Sequence, residues 1–141
     1  MDLIPPRMAT LLPMGFVRHR DGRDTWDGVS PHEYTSGAVR QVLVGRDDGA
    51  IQVELRHFTI PVGGASALEH HAHEHAIMIL HGRAEVRLGD VLADAGPGDV
   101  VFVSADEVHQ IRTLGEESLE FLCTALVHRA APPTRPGPAQ Q

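Results

Sequence analysis

Six side chains able to bind divalent metals fall within seven residues: Glu69, His70, His71, His73, Glu74 and His75. Imidazole and carboxylate are the donors that hold borderline divalent ions, so metal chemistry is the first expectation for this stretch. An apolar strand-like run, Ala76 to Leu80, follows directly. A further histidine, His109, comes after the Gly96-Pro97-Gly98 turn and a second apolar run. The chain holds ten histidines in 141 residues, and this is its one compositional outlier.

A histidine-rich tract can also be a solvated loop or a loose metal-storage tract. A helix would put His71 and His75 on one face, as in zinc proteases. However, that signal needs His-Glu-x-x-His, and Ile77 stands where the second histidine should be. An extended chain suits the tract better. Residues i and i+2 then share a face, whereas residues six apart are separated by roughly 20 Å at about 3.3 Å per residue. Glu69, His71 and His75 can therefore share one ion only if the chain turns near Ala72 to Glu74. His75 has the parity of Ile77 and Ile79, which points it inward with an aliphatic wall behind it. His109, at the start of another strand, could close the site.

The elements that must position these groups read as strands. Gln41 to Val44, Ile51 to Thr59, Ala76 to Leu80, Ala84 to Leu88, Val91 to Ala93, Asp99 to Val103, Val108 to Thr113 and Leu119 to Val127 are short apolar or alternating runs. Turn residues separate them at Gly45 to Gly49, Pro61 to Gly64, His81 to Arg83, Gly89-Asp90 and Leu114 to Glu117. Eight or nine strands without a helix predict an all-β sandwich or barrel. Ile51, Val53 and Leu55 alternate with polar residues, and His57 lies on their parity, so it could face the cavity, although a buried histidine satisfied by hydrogen bonds is the preferred reading. Phe121 and Cys123 share one face of the last strand and could line the pocket, with core packing the preferred reading. Met78 and Leu80 fall opposite Ile77 and Ile79, so this strand needs a second covering layer, which a partner protomer could supply.

The spacing resembles that of the cupin superfamily, whose first motif is Gly-x5-His-x-His-x3/4-Glu-x6-Gly. Here it reads Gly63-x5-Glu69-x-His71-x3-His75-x6-Gly82. The second motif, Gly-x5-Pro-x-Gly-x2-His-x3-Asn, reads Gly98-x5-Ser104-x-Asp106-x2-His109-x3-Thr113. The resemblance covers roughly residues 40 to 127. It implies an antiparallel double-stranded β-helix, or jelly-roll barrel, with one divalent transition metal per chain and often a homodimer. The ligands it implies are Glu69, His71, His75 and His109. Glu69 takes the place of a histidine and His75 that of the glutamate, so the three-His, one-carboxylate set keeps its composition. If Glu69 does not bind, His73, His70 or water is the fourth ligand. Ser104, Asp106 and Thr113 depart from the second motif at turn and scaffold positions.

Such a site keeps places open for substrate. The expected activity is that of a mononuclear non-haem iron dioxygenase acting on a small anionic or enolisable molecule. A non-redox isomerase, lyase or decarboxylase is the alternative, and a small-molecule or metal-binding module without turnover is a third reading. Fe2+ is the first choice of metal, with Mn2+, Ni2+, Co2+ and Zn2+ as alternatives. His73 and His57 are the candidates for a general base.

The rest of the composition sets bounds. A formal net charge of −7 argues against a nucleic-acid partner. No apolar run approaches the roughly 18 residues needed to span a bilayer. Pro5, Pro6 and Pro13 interrupt the N-terminus, so no signal peptide is expected. A single cysteine, Cys123, fits a reducing cytoplasm. The domain plan is an irregular segment at 1–38 that packs on the barrel or a partner, a barrel at 39–128, and a disordered proline-rich tail at 129–141.

Overall fold

A computed structural model describes residues 14–35 and 37–127. The tail expected at 129–141 and the first thirteen residues lie outside the described residues. Nine strands run in chain order: β1 (His32–Glu33), β2 (Val39–Val44), β3 (Val53–Ile60), β4 (His75–His81), β5 (Arg83–Leu88), β6 (Val91–Ala95), β7 (Val100–Val103), β8 (His109–Leu114) and β9 (Leu119–Leu126). Among the described residues the helical content is one three-residue 3-10 turn at Arg46–Asp48. No helix there is long and apolar enough to cross a membrane.

All pairings are antiparallel. One sheet has six strands in the order β1-β2-β3-β9-β4-β7, and the other has three, β6-β5-β8. The two face each other as a jelly roll. Residues 64–69, which enter no named strand, still ladder onto β8. Ser66 N–H donates to Ile111 O (2.8 Å), and Glu69 and His109 exchange both backbone bonds (3.1 and 2.9 Å). The segment that brings Glu69 and His71 into place is thus held along the edge of the smaller sheet.

The core follows the period-two alternation. β4 buries His75, Ile77 and Ile79 and exposes Ala76, Met78 and Leu80. Ile60, Ile79, Val86, Val103 and Leu119 are all but fully buried between the sheets, and Phe58 stacks on Phe121 at 5.1 Å. Each such side chain contributes about 1.5–3 kcal/mol on burial. The tight turn between β4 and β5 needs Gly82, whose φ is +79° and whose missing Cβ would lie 2.4 Å from Ser118 O.

β3 reverses the expected parity. Val53 and Ile51 are exposed, while Glu54, Arg56, Phe58 and Ile60 are buried. Near the metal-ligand end, therefore, the barrel wall is lined by charged side chains, and the apolar alternation of the sequence marks the other face. His57 consequently faces outward, beneath the N-terminal segment. Its ring lies 4.9 Å from that of Trp26, and its Nε2 is 3.3 Å from Glu120. Arg23 pairs with Glu120 at 2.7 Å, and Gln41 donates to Asp24 O at 2.7 Å. The segment expected to be irregular also contributes β1, which pairs with β2.

Candidate metal centre

Glu69, His71, His75 and His109 are all buried, and one donor atom from each lies within 4.8 Å of the other three. Three elements bring them together. Glu69 is bridged to His109 at the head of β8, and His75 opens β4. The chain bends at Ala72 and His73, and Asp106 N–H donates to His71 O at 2.7 Å, which closes the loop between them. Asp106 has φ 62°, a left-handed conformation that aspartate tolerates better than most residues. It stands where the resemblance has glycine, and the backbone shape explains how the substitution is accommodated.

The hydrogen bonds set the imidazole tautomers. His71 Nδ1 lies 2.8 Å from His73 O, His75 Nδ1 2.8 Å from Thr124 O, and His109 Nδ1 2.8 Å from Glu107 O. A carbonyl only accepts, so each Nδ1 carries the proton, and in the neutral ring Nε2 offers its lone pair. Nε2 of His71 and Nε2 of His75 are 2.9 Å apart, and Glu69 Oε1 is 3.7 Å from His71 Nε2 and 3.6 Å from His109 Nε2. Two lone pairs facing each other at that distance repel unless a cation stands between them. Neighbouring donors about 2.1 Å from one ion in an octahedral shell are about 3.0 Å apart, so the cluster fits a single metal ion.

The electrostatics agree. Burial would raise the Glu69 carboxyl, but the His109 and His71 imidazoles outweigh it and hold the group at about 2. Burial lowers His75 to about 3, only partly opposed by its bond to Thr124, so the ring stays neutral as a ligand must. At His109 burial works downward too, yet the Glu69 carboxylate overrides it and raises the group. Glu69 thus favours positive charge at this place, from a proton or from a metal ion.

The other candidates separate. His73 stacks on His71, with centroids 3.8 Å apart and planes 5° from parallel, and borders a cavity of about 530 Å3 shared with His75, Phe102 and Thr124. His57 is not brought to the cluster, because it lies on the far face of β3. His70 is half-buried and outside the donor group. Three further residues adjoin the ligands, of which the sequence offered only Cys123, as a possible pocket-lining residue. Tyr34 Oη donates to Glu69 Oε2 at 3.4 Å. Cys123 Sγ lies 3.2 Å from His75 Nδ1, and Arg56 Nη2 donates to that sulfur at 3.4 Å. The Arg56 signal was present in β3 but masked by its parity, and nothing in the sequence around Tyr34, the one tyrosine of the chain, ties it to the site.

Fold and site together define a small jelly-roll barrel with a buried cluster able to hold one metal ion. The Cupin domain family profile matches residues 56–125. A curated relative, 1-methylthio-D-xylulose 5-phosphate methylsulfurylase from Rhodospirillum rubrum, is 34% identical over 114 residues, covering 76% of this chain and 72% of its own. A cupin 2 conserved barrel domain protein from Rhodopseudomonas palustris superposes with a TM-score of 0.70 at 32% identity, over 88% of this chain and 89% of that one. The polyketide cyclase RemF from Streptomyces resistomycificus gives a TM-score of 0.69 at 25% identity, over 84% and 82%. The chain belongs to the cupin family.

Proposed function

We propose that this cupin is a metal-dependent enzyme of non-redox type, acting on a small anionic compound with an enolisable carbonyl. The observation that carries the reading is the buried Glu69-His71-His75-His109 set, with lone pairs converging on one point. A bound divalent ion there would supply Lewis acidity, making a C–H beside a chelated carbonyl more acidic. One carboxylate against a divalent ion leaves about one positive charge, which favours an anionic substrate. Around that point the chain supplies proton-bearing groups. The Tyr34 hydroxyl, raised to about 12 by burial and by Glu69, keeps its proton and holds Glu69 in place. His73, stacked on His71 at the cavity edge, is the side chain we assign to proton transfer.

The names of the relatives support this choice over dioxygen chemistry. One is named for a ketose phosphate and another as a cyclase. The dioxygenase with Fe2+ is the second reading, favoured by the donor count. Four protein donors leave two places on a six-coordinate ion, enough for substrate and dioxygen together.

The test is deuterium exchange into dihydroxyacetone phosphate in D2O without oxygen, followed by proton NMR, beside a measurement of metal content. Exchange that needs metal and proceeds anaerobically is expected. Oxygen uptake during turnover, with no exchange, would overturn the reading in favour of the dioxygenase.

We also propose a homodimer through the outer face of β4 and β7. Met78, Leu80, Val100 and Phe102 are exposed there, with Met78 directly opposite Val100. An apolar face on an edge strand is what a second copy would cover.

A further inference from the structure

The inner wall of the barrel carries two arginines that the metal cluster does not use. Arg40 on β2 pairs in register with Phe58, and Arg56 sits two residues before Phe58 on the neighbouring β3. Strand alternation puts both on the face that looks into the barrel. Arg56 is only 8% exposed. Its Nε makes no hydrogen bond, because Glu54 Oε2 stands 3.6 Å away, and the partner of its Nη2 is a thiol. The Arg40 Nε is also buried without a partner. Among the described residues no carboxylate pairs with Arg40, whose guanidinium lies over the Tyr34 ring at 5.5 Å.

A guanidinium has five N–H donors, and leaving them buried and unmet is costly. Of the two guanidiniums only Arg56 faces a carboxylate, Glu54, so a positive charge is left over beside the metal cluster. Both are close to it. Arg56 touches Cys123, which touches His75, and Arg40 covers Tyr34, which reaches Glu69.

We propose that Arg40 and Arg56 form an oxyanion subsite that takes the phosphate or carboxylate end of a small molecule whose carbonyl end lies at the Glu69-His71-His75-His109 cluster. Planar guanidinium forks suit either group, and each would satisfy donors now unmet. The subsite rests on the metal-centre reading for its orientation, though not for its affinity.

Calorimetric titration of the full chain with orthophosphate and with acetate, as purified and after chelation, tests this. Binding of at least one anion is expected in both states, at least tenfold weaker in Arg40→Gln and less weakened in Arg40→Lys, which keeps charge without the fork. Preference between the two anions tells which group the subsite takes. The same samples report metal per chain. Metal binding intact with no Arg40-dependent anion binding overturns the subsite alone. Arg40-dependent anion binding without metal binding overturns the metal reading and leaves the subsite standing. Thermal midpoints with and without phosphate give a second readout. A rise in the wild type that persists undiminished in Arg40→Gln would also refute the subsite.

Discussion

Acidifying the metal-free protein should weaken it between about pH 6.5 and 5, with His75 a principal cause. His75 is 4% exposed, its Nδ1–H is committed to Thr124 O, and its Nε2 faces that of His71 at 2.9 Å. Burial lowers the group from its ordinary 6.5 to about 3. The unfolded chain takes up that proton near 6.5 and the folded chain does not. The unfolded state therefore binds more protons in this window, and stability falls as pH falls. Each pH unit is worth about 1.4 kcal/mol per group, so His75 alone accounts for about 2 kcal/mol between pH 6.5 and 5. That is a large part of the roughly 5–15 kcal/mol of a typical domain. His57 is lowered by burial, against the pull of Glu120, and adds in the same direction. His109 is raised by Glu69, so its contribution is complete below 6.5 and is lost only at higher pH. Urea unfolding of chelated wild type and His75→Gln at about pH 7, 6 and 5 makes the comparison. The variant should show a shallower pH dependence by about one proton. Equal slopes in the two proteins would refute the reasoning.

Other changes give distinct signatures. His109→Ala should abolish stoichiometric metal binding, and Glu69→Gln should weaken it at least about tenfold, both read by equilibrium dialysis of folded protein. Gly82→Ala forces a Cβ against Ser118 O at φ +79°, and should cost about 2 kcal/mol or more in denaturant unfolding. Asp106→Gly should be close to neutral, whereas Asp106→Val at φ 62° should cost about 1–2 kcal/mol, seen as a lowered thermal midpoint. Phe102→Lys with Met78→Lys should convert the proposed dimer to a monomer in light scattering, and a wild type that is already monomeric would remove that proposal.

Much of this was legible in the chain, for identifiable reasons. Strand alternation is strict where one face is buried, so the residue pattern alone aligns His75 with Ile77 and Ile79. Turn residues marked nearly every strand end, because glycine with positive φ recurs at the turns. The failure at β3 has a physical cause too. Alternation finds the apolar face, and there the interior wants Glu54 and Arg56 while Ile51 and Val53 stand in solvent. The cavity-facing alternative for His57 shared that error, while its burial beside Glu120 is as expected. The positions of Tyr34 and Arg40 depend on how residues before β3 fold back over the sheet, a long-range arrangement that no local pattern encodes.

The donors come from both sheets. His75 starts a strand of the larger sheet, while His109 belongs to the smaller one and Glu69 to the segment laddered along its edge. An ion held by all of them is a rivet through the sandwich. It joins points distant in the chain and constrains the unfolded ensemble as a cross-link would. Metal release and separation of the sheets then become one motion. Loss of the ion should be governed by the breathing of the barrel rather than by the exposure of the site. Backbone amides of β4 and β8 should exchange with solvent in step with metal dissociation, and a chelator added in excess should not hasten either beyond that opening rate.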